Sequence, residues 1–288
     1  MNDSRIVAIS RGERFSPHNT INDAMILEAV ASELRRKGYE VRTISETAIT
    51  DIKTAPEHLF LNMARGRMAL DILNEKKSNG AIVINPPLSL IENTRVVLTR
   101  KLQEMDIPIP KSYILNVDDT CPLLFPYWVK RGDECSQSPG DVSYVSNHEA
   151  LKRVWKDFTS RGISKAVACE HKEGDLIKFY GVASTDFFST FLATDGGRTG
   201  KFEAERINGA PHGYPYSLTE LQKQCDAIAT ALCIPVYGGD CVIDSTGQFF
   251  IIDFNDWPSY SRCRSQAAKA IAQLFNQQVC NNFNHTTY

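Results

Sequence analysis

The sequence predicts an α/β unit built on a parallel sheet, followed by a larger α+β region. Three observations carry this expectation. Strand and helix patterns alternate between Arg5 and Ile84; the segment Ile107-Pro108-Ile109-Pro110 enforces extended backbone and marks a boundary; and two apolar runs, Gly239–Ile243 and Gln248–Asn255, are joined by the turn-forming Asp244-Ser245-Thr246-Gly247.

The first unit is taken as residues 1–92 and the second as 93–288. Arg5 to Ser10 reads as a short buried strand, and Asn22 to Lys37 as a helix with Ile26, Leu27, Val30 and Leu34 on one face, ending at Gly38. Tyr39 to Ile44 returns as a strand. A helix pattern from His58 to Lys77 leads to the apolar run Ala81–Ile84, which Asn85-Pro86-Pro87 stops. The alternation is Rossmann-like, but no G-x-G-x-x-G is present, so nothing marks a dinucleotide site. Ser16-Pro17-His18-Asn19 follows the first strand, where open α/β sheets bind ligands, although a turn ahead of the helix is the simpler account.

Beyond a helix from Asn93 to Met105 and the prolines, the pattern predicts a strand at Tyr127–Lys130 and a polar stretch from Arg131 to Gly140. A helix over His148–Ser160 and a strand at Lys165–Glu170 follow. Strands at Leu176–Ala183 and Phe187–Ala193 and a helix over Leu218–Leu232 belong with the final hairpin. The polar tail Cys280 to Tyr288 reads as a frayed end.

Composition narrows the function. With 288 residues, 42% hydrophobic and 23% charged, the chain is ordinary globular protein with material for two or three domains. A net charge of −2 supplies no global field for a nucleic acid. Neither a signal-length apolar segment nor a membrane-spanning one is present, so the expectation is a cytoplasmic protein with no membrane partner. The 8 cysteines form no C-x-x-C pair and read as reduced structural thiols.

The hairpin holds the most informative chemistry. Side chains alternate along a strand, so Asp253 and Asn255 share a face; with Ile243 opposite Gln248, Asp240 falls opposite Ile251, diagonal to Asp253 on that face. Two carboxylates and an amide among apolar neighbours are costly to bury unless a hard cation satisfies them. Magnesium suits that need, because it takes few protein carboxylates and completes its shell with water and phosphates. A solvent-facing polar hairpin is the alternative. Phosphates also need cations, and Gly196-Gly197-Arg198-Thr199-Gly200-Lys201 is no P-loop, having the wrong spacing and Phe202 after the lysine. It reads as a hairpin turn. Lys130 and Lys178, each in an apolar strand, are the better candidates, with edge-strand lysines that snorkel to solvent as the bland reading.

In this order the residues resemble the ATP-grasp superfamily, particularly its carboxylate-amine ligases: ribosomal-protein glutamate ligases (RimK-like), D-alanine–D-alanine ligases and glutathione synthetases. The resemblance spans about Asn93 to Leu274. It implies two α+β subdomains, a mobile lid over 111–169 and a metal-binding part over 170–288. Asp240 with Asp253-Phe254-Asn255 resembles the family's acidic residue followed by acidic-x-Asn, implying magnesium ligands, with manganese as a substitute ion. Arg95 stands where the family usually has lysine, and arginine can also hold phosphate. Lys130 resembles the second phosphate-binding lysine. Glu170, His171 and Lys172 resemble the hinge that receives adenine, Asp175 the acid that takes the ribose hydroxyls, and Lys178 the basic residue beside the transferred phosphate. Arg131–Gly140 occupies the place of the closing loop, yet contains only Gly132 and Gly140 as glycines.

The resemblance implies that ATP and magnesium activate a substrate carboxylate as an acyl phosphate, which an amine or thiol then attacks. Lys178 and Arg264 would serve the chemistry. Arg262 and Arg264, and less directly Arg206, would bind an anionic small-molecule or peptide substrate; Arg262 and Arg264 equally well cap the last helix or face water. His171 is an acid–base candidate or a structural histidine. Two other readings stay open: an ATP-grasp kinase acting on a polyol or sugar phosphate, and a nucleotide-binding protein without turnover. The identity of the carboxylate and amine, and the oligomeric state, are not legible.

Overall fold

The computed structural model describes residues 4–17, 19–194 and 207–285, with backbone alone for 283–285. Among the described residues there are three four-stranded sheets. The first is parallel, in the order β2-β1-β3-β4, from β1 (Arg5–Ser10), β2 (Glu40–Ser45), β3 (Leu59–Asn62) and β4 (Ile82–Ile84). Its helices are α1 (Thr20–Arg36) and α2 (Arg67–Ser78).

The expected helix over His58–Lys77 is therefore corrected to a strand followed by a helix. All four residues of β3 are buried, and a short apolar run buried on both sides carries no period that separates strand from helix. A short helix, α3 (Pro87–Glu92), also begins where Pro86-Pro87 was expected only to end a strand: Pro87 occupies the first helical positions, where its missing N–H costs nothing. It leads to α4 (Arg95–Glu104), whose N-cap Thr94 accepts from the Val97 amide.

The second sheet is antiparallel, in the order β5-β8-β6-β7: β5 (Ser112–Asn116), β6 (Tyr127–Arg131), β7 (Val142–Val145) and β8 (Lys165–Glu170), with α5 (His148–Ser160) packed on it. The edge strands β5 and β7 went unread in the sequence. Their alternation is short and their burial partial.

The third sheet, β10-β9-β11-β12, is antiparallel and comprises β9 (Asp175–Val182), β10 (Phe188–Leu192), β11 (Val236–Ile243) and β12 (Phe249–Asp256). One face packs on α6 (Leu218–Leu232) through Leu221, Cys225, Ile228 and Leu232. The other shares a core with the first unit, where Tyr180, Trp257 and Tyr260 meet α1 and α7 (Arg264–His285). Ile26, Leu27, Val30 and Leu34 of α1 face Ala267, Ile271 and Phe275 of α7, and each fully buried large aliphatic contributes roughly 1.5–3 kcal/mol. The expected frayed tail begins later than Cys280, because α7 continues to His285 with Val279 buried beneath it.

Asn85 locks the first and third sheets together. Its side-chain amide donates to the Val236 carbonyl at 2.9 Å and accepts from the Val236 amide at 3.0 Å, pairing with that backbone as a strand would. Among the described residues no helix is long and apolar enough to cross a membrane.

Candidate active site

A cavity of about 380 Å³ lies where the three sheets converge. Its floor is the β9–β11–β12 surface. Lys178 pairs with Asp240 across β9 and β11, and Asp240 pairs with Asp253 across β11 and β12, so the three side chains form one row. Behind it Tyr180, Gly238 and Asn255 form a second row.

The hairpin register differs from the expected one by a bulge. Ile243 pairs with Phe249 and Cys241 with Ile251, but Asp240 pairs with Asp253 rather than Ile251, leaving Ile252 out of the ladder. The two carboxylates are thereby directly opposite instead of diagonal. The bulge also frees the Ile252 carbonyl, which accepts from Lys130 Nζ at 2.7 Å. Lys130 thus reaches the floor from β6 of the second sheet, 8% exposed and bonded rather than snorkelling to solvent.

The carboxylates carry cationic partners. Asp253 Oδ1 accepts from Arg95 Nη1 at 3.1 Å and its Oδ2 from Asn255 Nδ2 at 2.9 Å, while Asp240 Oδ1 accepts from Lys178 Nζ at 3.1 Å. Burial pushes the Asp253 carboxyl up, but Arg95 and Lys130 outweigh it and hold the group below its ordinary value. Arg95 stands at the first turn of α4 and also donates to Ser136 Oγ at 3.3 Å. Its Nε is buried without a hydrogen-bond partner, as expected of a guanidinium aimed at an acceptor the chain does not supply.

The donor set fits magnesium. Two carboxylates and an amide project from adjacent strands on one face, with Lys178, Arg95 and Lys130 beside them.

Trp128, His171, Leu176 and Val242 also line the cavity. Trp128 Nε1 donates to His171 Nδ1 at 3.1 Å, which leaves the imidazole proton on Nε2, and Tyr144 packs edge-on to both rings. Burial lowers the His171 pKa, opposed by the nearby Glu173 carboxylate, and so favours the neutral ring. Glu170 and Lys172 flank it and pair at 3.0 Å, the Lys172 ammonium also lying 4.6 Å from the Phe250 ring centre. Leu176 and Val242 supply the apolar floor.

The loop between β6 and β7 covers this space. It is pinned by Asp141, fully buried, which accepts from the amides of Gln137 at 2.6 Å and Ser138 at 3.0 Å and pairs with Arg161 at 2.6 Å. Gln137 also accepts from Arg14 Nε of the first unit at 3.0 Å. Side-chain contacts to Arg14 and Arg95, rather than abundant glycine, hold this loop over the cavity.

Three expected site residues lie elsewhere. Asp175 is 2% exposed and its carboxylate accepts from the amides of His212 at 2.6 Å and Tyr214 at 2.8 Å, so it anchors that segment and does not line the cavity. Arg262 is exposed, donates to the Leu192 carbonyl at 3.0 Å and stacks on Phe191. Arg264 donates to Asn22 Oδ1 at 3.4 Å, joining α7 to α1. Arg206, His18 and the Gly196–Lys201 string lie outside the described residues.

In their place the first unit contributes Arg11 and Arg65, which sequence reasoning missed. Arg11 pairs with Asp23 at 3.4 Å and Asp256 at 3.3 Å; Arg65 pairs with the other oxygen of Asp256. Each follows a strand of the parallel sheet, a position that carries ligand contacts in open α/β folds. Arg65 was hidden because β3 read as helix.

No protein-family model matches the sequence, and no curated protein matches it. Solved structures do match. D-alanine–D-alanine ligase from Bacillus anthracis complexed with ATP is 16% identical with a TM-score of 0.66, covering 96% of this chain and 99% of that one. A second structure of that ligase gives 15% identity, a TM-score of 0.68 and coverage of 98% and 99%. A RimK domain ATP-grasp protein from Sphaerobacter thermophilus gives 16%, 0.66, and 94% and 99%. Identities this low establish shape and nothing finer, and across nearly its whole length this chain has the ATP-grasp fold.

Proposed function

We propose that the protein is an ATP-dependent ligase joining a carboxylate to an amine. The observation that carries this reading is the row Lys178–Asp240–Asp253, flanked by Lys130 and Arg95 in one cavity. It is supported by the likeness to a D-alanine–D-alanine ligase solved with ATP.

Asp240, Asp253 and Asn255 would hold magnesium, or manganese in its place, which supplies charge neutralisation at the phosphates. Lys130 and Arg95 would bind the outer phosphates, and Trp128 and His171 would wall the base. Lys178 would neutralise charge on the γ-phosphoryl group as a substrate carboxylate oxygen bonds to phosphorus and the bond to the departing ADP oxygen breaks. The amine nitrogen would then bond to the acyl carbon, expelling phosphate and releasing its proton. The β6–β7 loop would exclude water, which otherwise hydrolyses the acyl phosphate.

Trapping tests the reading. Incubation with MgATP, a candidate carboxylate and hydroxylamine should give stoichiometric ADP, inorganic phosphate and a hydroxamate. ADP formed with phosphate retained on the acceptor would show a kinase instead.

A further inference from the structure

In the order β2-β1-β3-β4, the chain leaves β1 toward one side of the sheet and β3 toward the other. The carboxyl ends of β1 and β3 therefore flank the switch point at which open α/β sheets bind ligands. Arg11 follows β1 and Arg65 follows β3, and both line the cavity that contains Asp253. The Glu46 carboxylate fixes the two turns together, accepting from the amides of Gly12 at 2.5 Å, Arg65 at 2.7 Å and Gly66 at 2.8 Å.

The two guanidiniums are not equivalent. Arg11 is consumed by the fold: it donates to Asp23 and Asp256 and to the carbonyls of Met63, Asp256 and Trp257. Arg65 has Asp256 as its ion-pair partner among the described residues, and its side chain is 16% exposed. A guanidinium carries five N–H donors in a planar fork. Asp256 takes part of that fork, and Arg65 lines the cavity beside a second guanidinium, that of Arg11. The cations Lys130, Lys178 and Arg95 already surround Asp240 and Asp253, and Arg65 lines the same cavity from the first unit.

We propose that Arg65 binds a second carboxylate on the acyl substrate, with Arg11 and Asp256 as its positioning residues, so that the substrate class is dicarboxylates rather than monocarboxylates. The inference rests on the ligase reading. Bidentate recognition of a planar oxyanion is what a fixed guanidinium does best, and a site built for it discriminates strongly against an analogue lacking the charge.

The test separates the two claims. A thermal shift with MgATP alone reports on the nucleotide site, and its absence would remove the ligase reading itself. With MgADP present, succinate or glutarate should raise the melting temperature further, and butyrate or pentanoate of the same length should not. Arg65→Lys keeps a cation beside Asp256 but loses the planar fork; it should weaken dicarboxylate binding about tenfold or more while changing MgATP affinity less than about twofold. Arg65→Met should abolish the preference, and if it fails to fold Arg65→Lys still decides. Equal stabilisation by mono- and dicarboxylates, or an unchanged preference in Arg65→Lys, overturns the proposal. Tighter binding of 3-phosphonopropionate than of either dicarboxylate overturns the carboxylate assignment.

Discussion

Asp240 and Asp253 face each other directly across the β11–β12 hairpin, because the bulge after Asp240 takes Ile252 out of the pairing. Continued without the bulge, the Ile243–Phe249 register would set Asp240 opposite Ile252 and turn Asp253 to the other face of the sheet. Direct opposition brings both carboxylates to one point, where Arg95 and Lys178 compensate their charge.

Asp253→Asn should leave the fold intact and abolish the magnesium-dependent part of ATP binding, because shape is kept while a ligand charge is lost. The expected loss is at least about tenfold in MgATP affinity, or ~1.4 kcal/mol. Calorimetric titration with and without magnesium checks it; unchanged affinity would falsify the metal assignment.

Lys130→Met should act twice. Removing the ammonium should weaken ATP far more than AMP, and the Ile252 carbonyl should lose its donor at a cost of about 1–3 kcal/mol in stability. Equal loss for ATP and AMP would place Lys130 away from the distal phosphates.

Gly239→Ala should be strongly destabilising. A methyl group there would collide with the Asp253 carbonyl oxygen and the Phe179 ring, in strands that cannot separate without breaking the Asp240–Asp253 register. Overpacking of this kind costs about 1–3 kcal/mol, and chemical denaturation measures it. Gly38→Ala is a useful contrast: no atom crowds a side chain there, so only its φ of +94° opposes the change.

Acid should unfold the protein through identifiable carboxylates. Burial pushes Asp141 and Asp175 up, but backbone amides at both, with Arg161 at Asp141, lower each below its ordinary value. A carboxyl depressed in the folded state adds stability that is complete above the unfolded value near pH 3.9 and is lost as pH falls through the folded value. Melting temperature should therefore fall steeply below about pH 4. Asp141→Asn and Asp175→Asn should each be less stable at pH 7 and show a shallower acid limb; parallel curves would contradict the sign.

Legibility in the sequence followed local pattern. The helix over His148–Ser160, the strand Lys165–Glu170 and the helix Leu218–Leu232 were read to the residue, each having clear periodicity or a side-chain cap such as Asn147 or Ser217. Lys130, Lys178, Asp240, Asp253 and Asn255 stood out as polar groups in apolar strands, and the structure gathers them with Arg95 around one cavity. Asp175 and Arg264 also looked functional. Their side chains instead join distant segments of the fold, which no local pattern reports.

Apart from β3, α3 and the edge strands β5 and β7, the sequence alone determined the kinds of element, the order of the units and the polar residues carried by apolar strands, because these depend on side-chain period, turn chemistry and the cost of burying charge. Only the tertiary structure decided which of those residues meet. The bulge that opposes Asp240 to Asp253 interrupts the β11–β12 pairing while the β9–β11 ladder runs on regularly. Arg65 reaches the cavity because the parallel sheet aims the carboxyl end of β3 at it. Contacts between residues far apart in the chain are set by packing, and packing has no local signature.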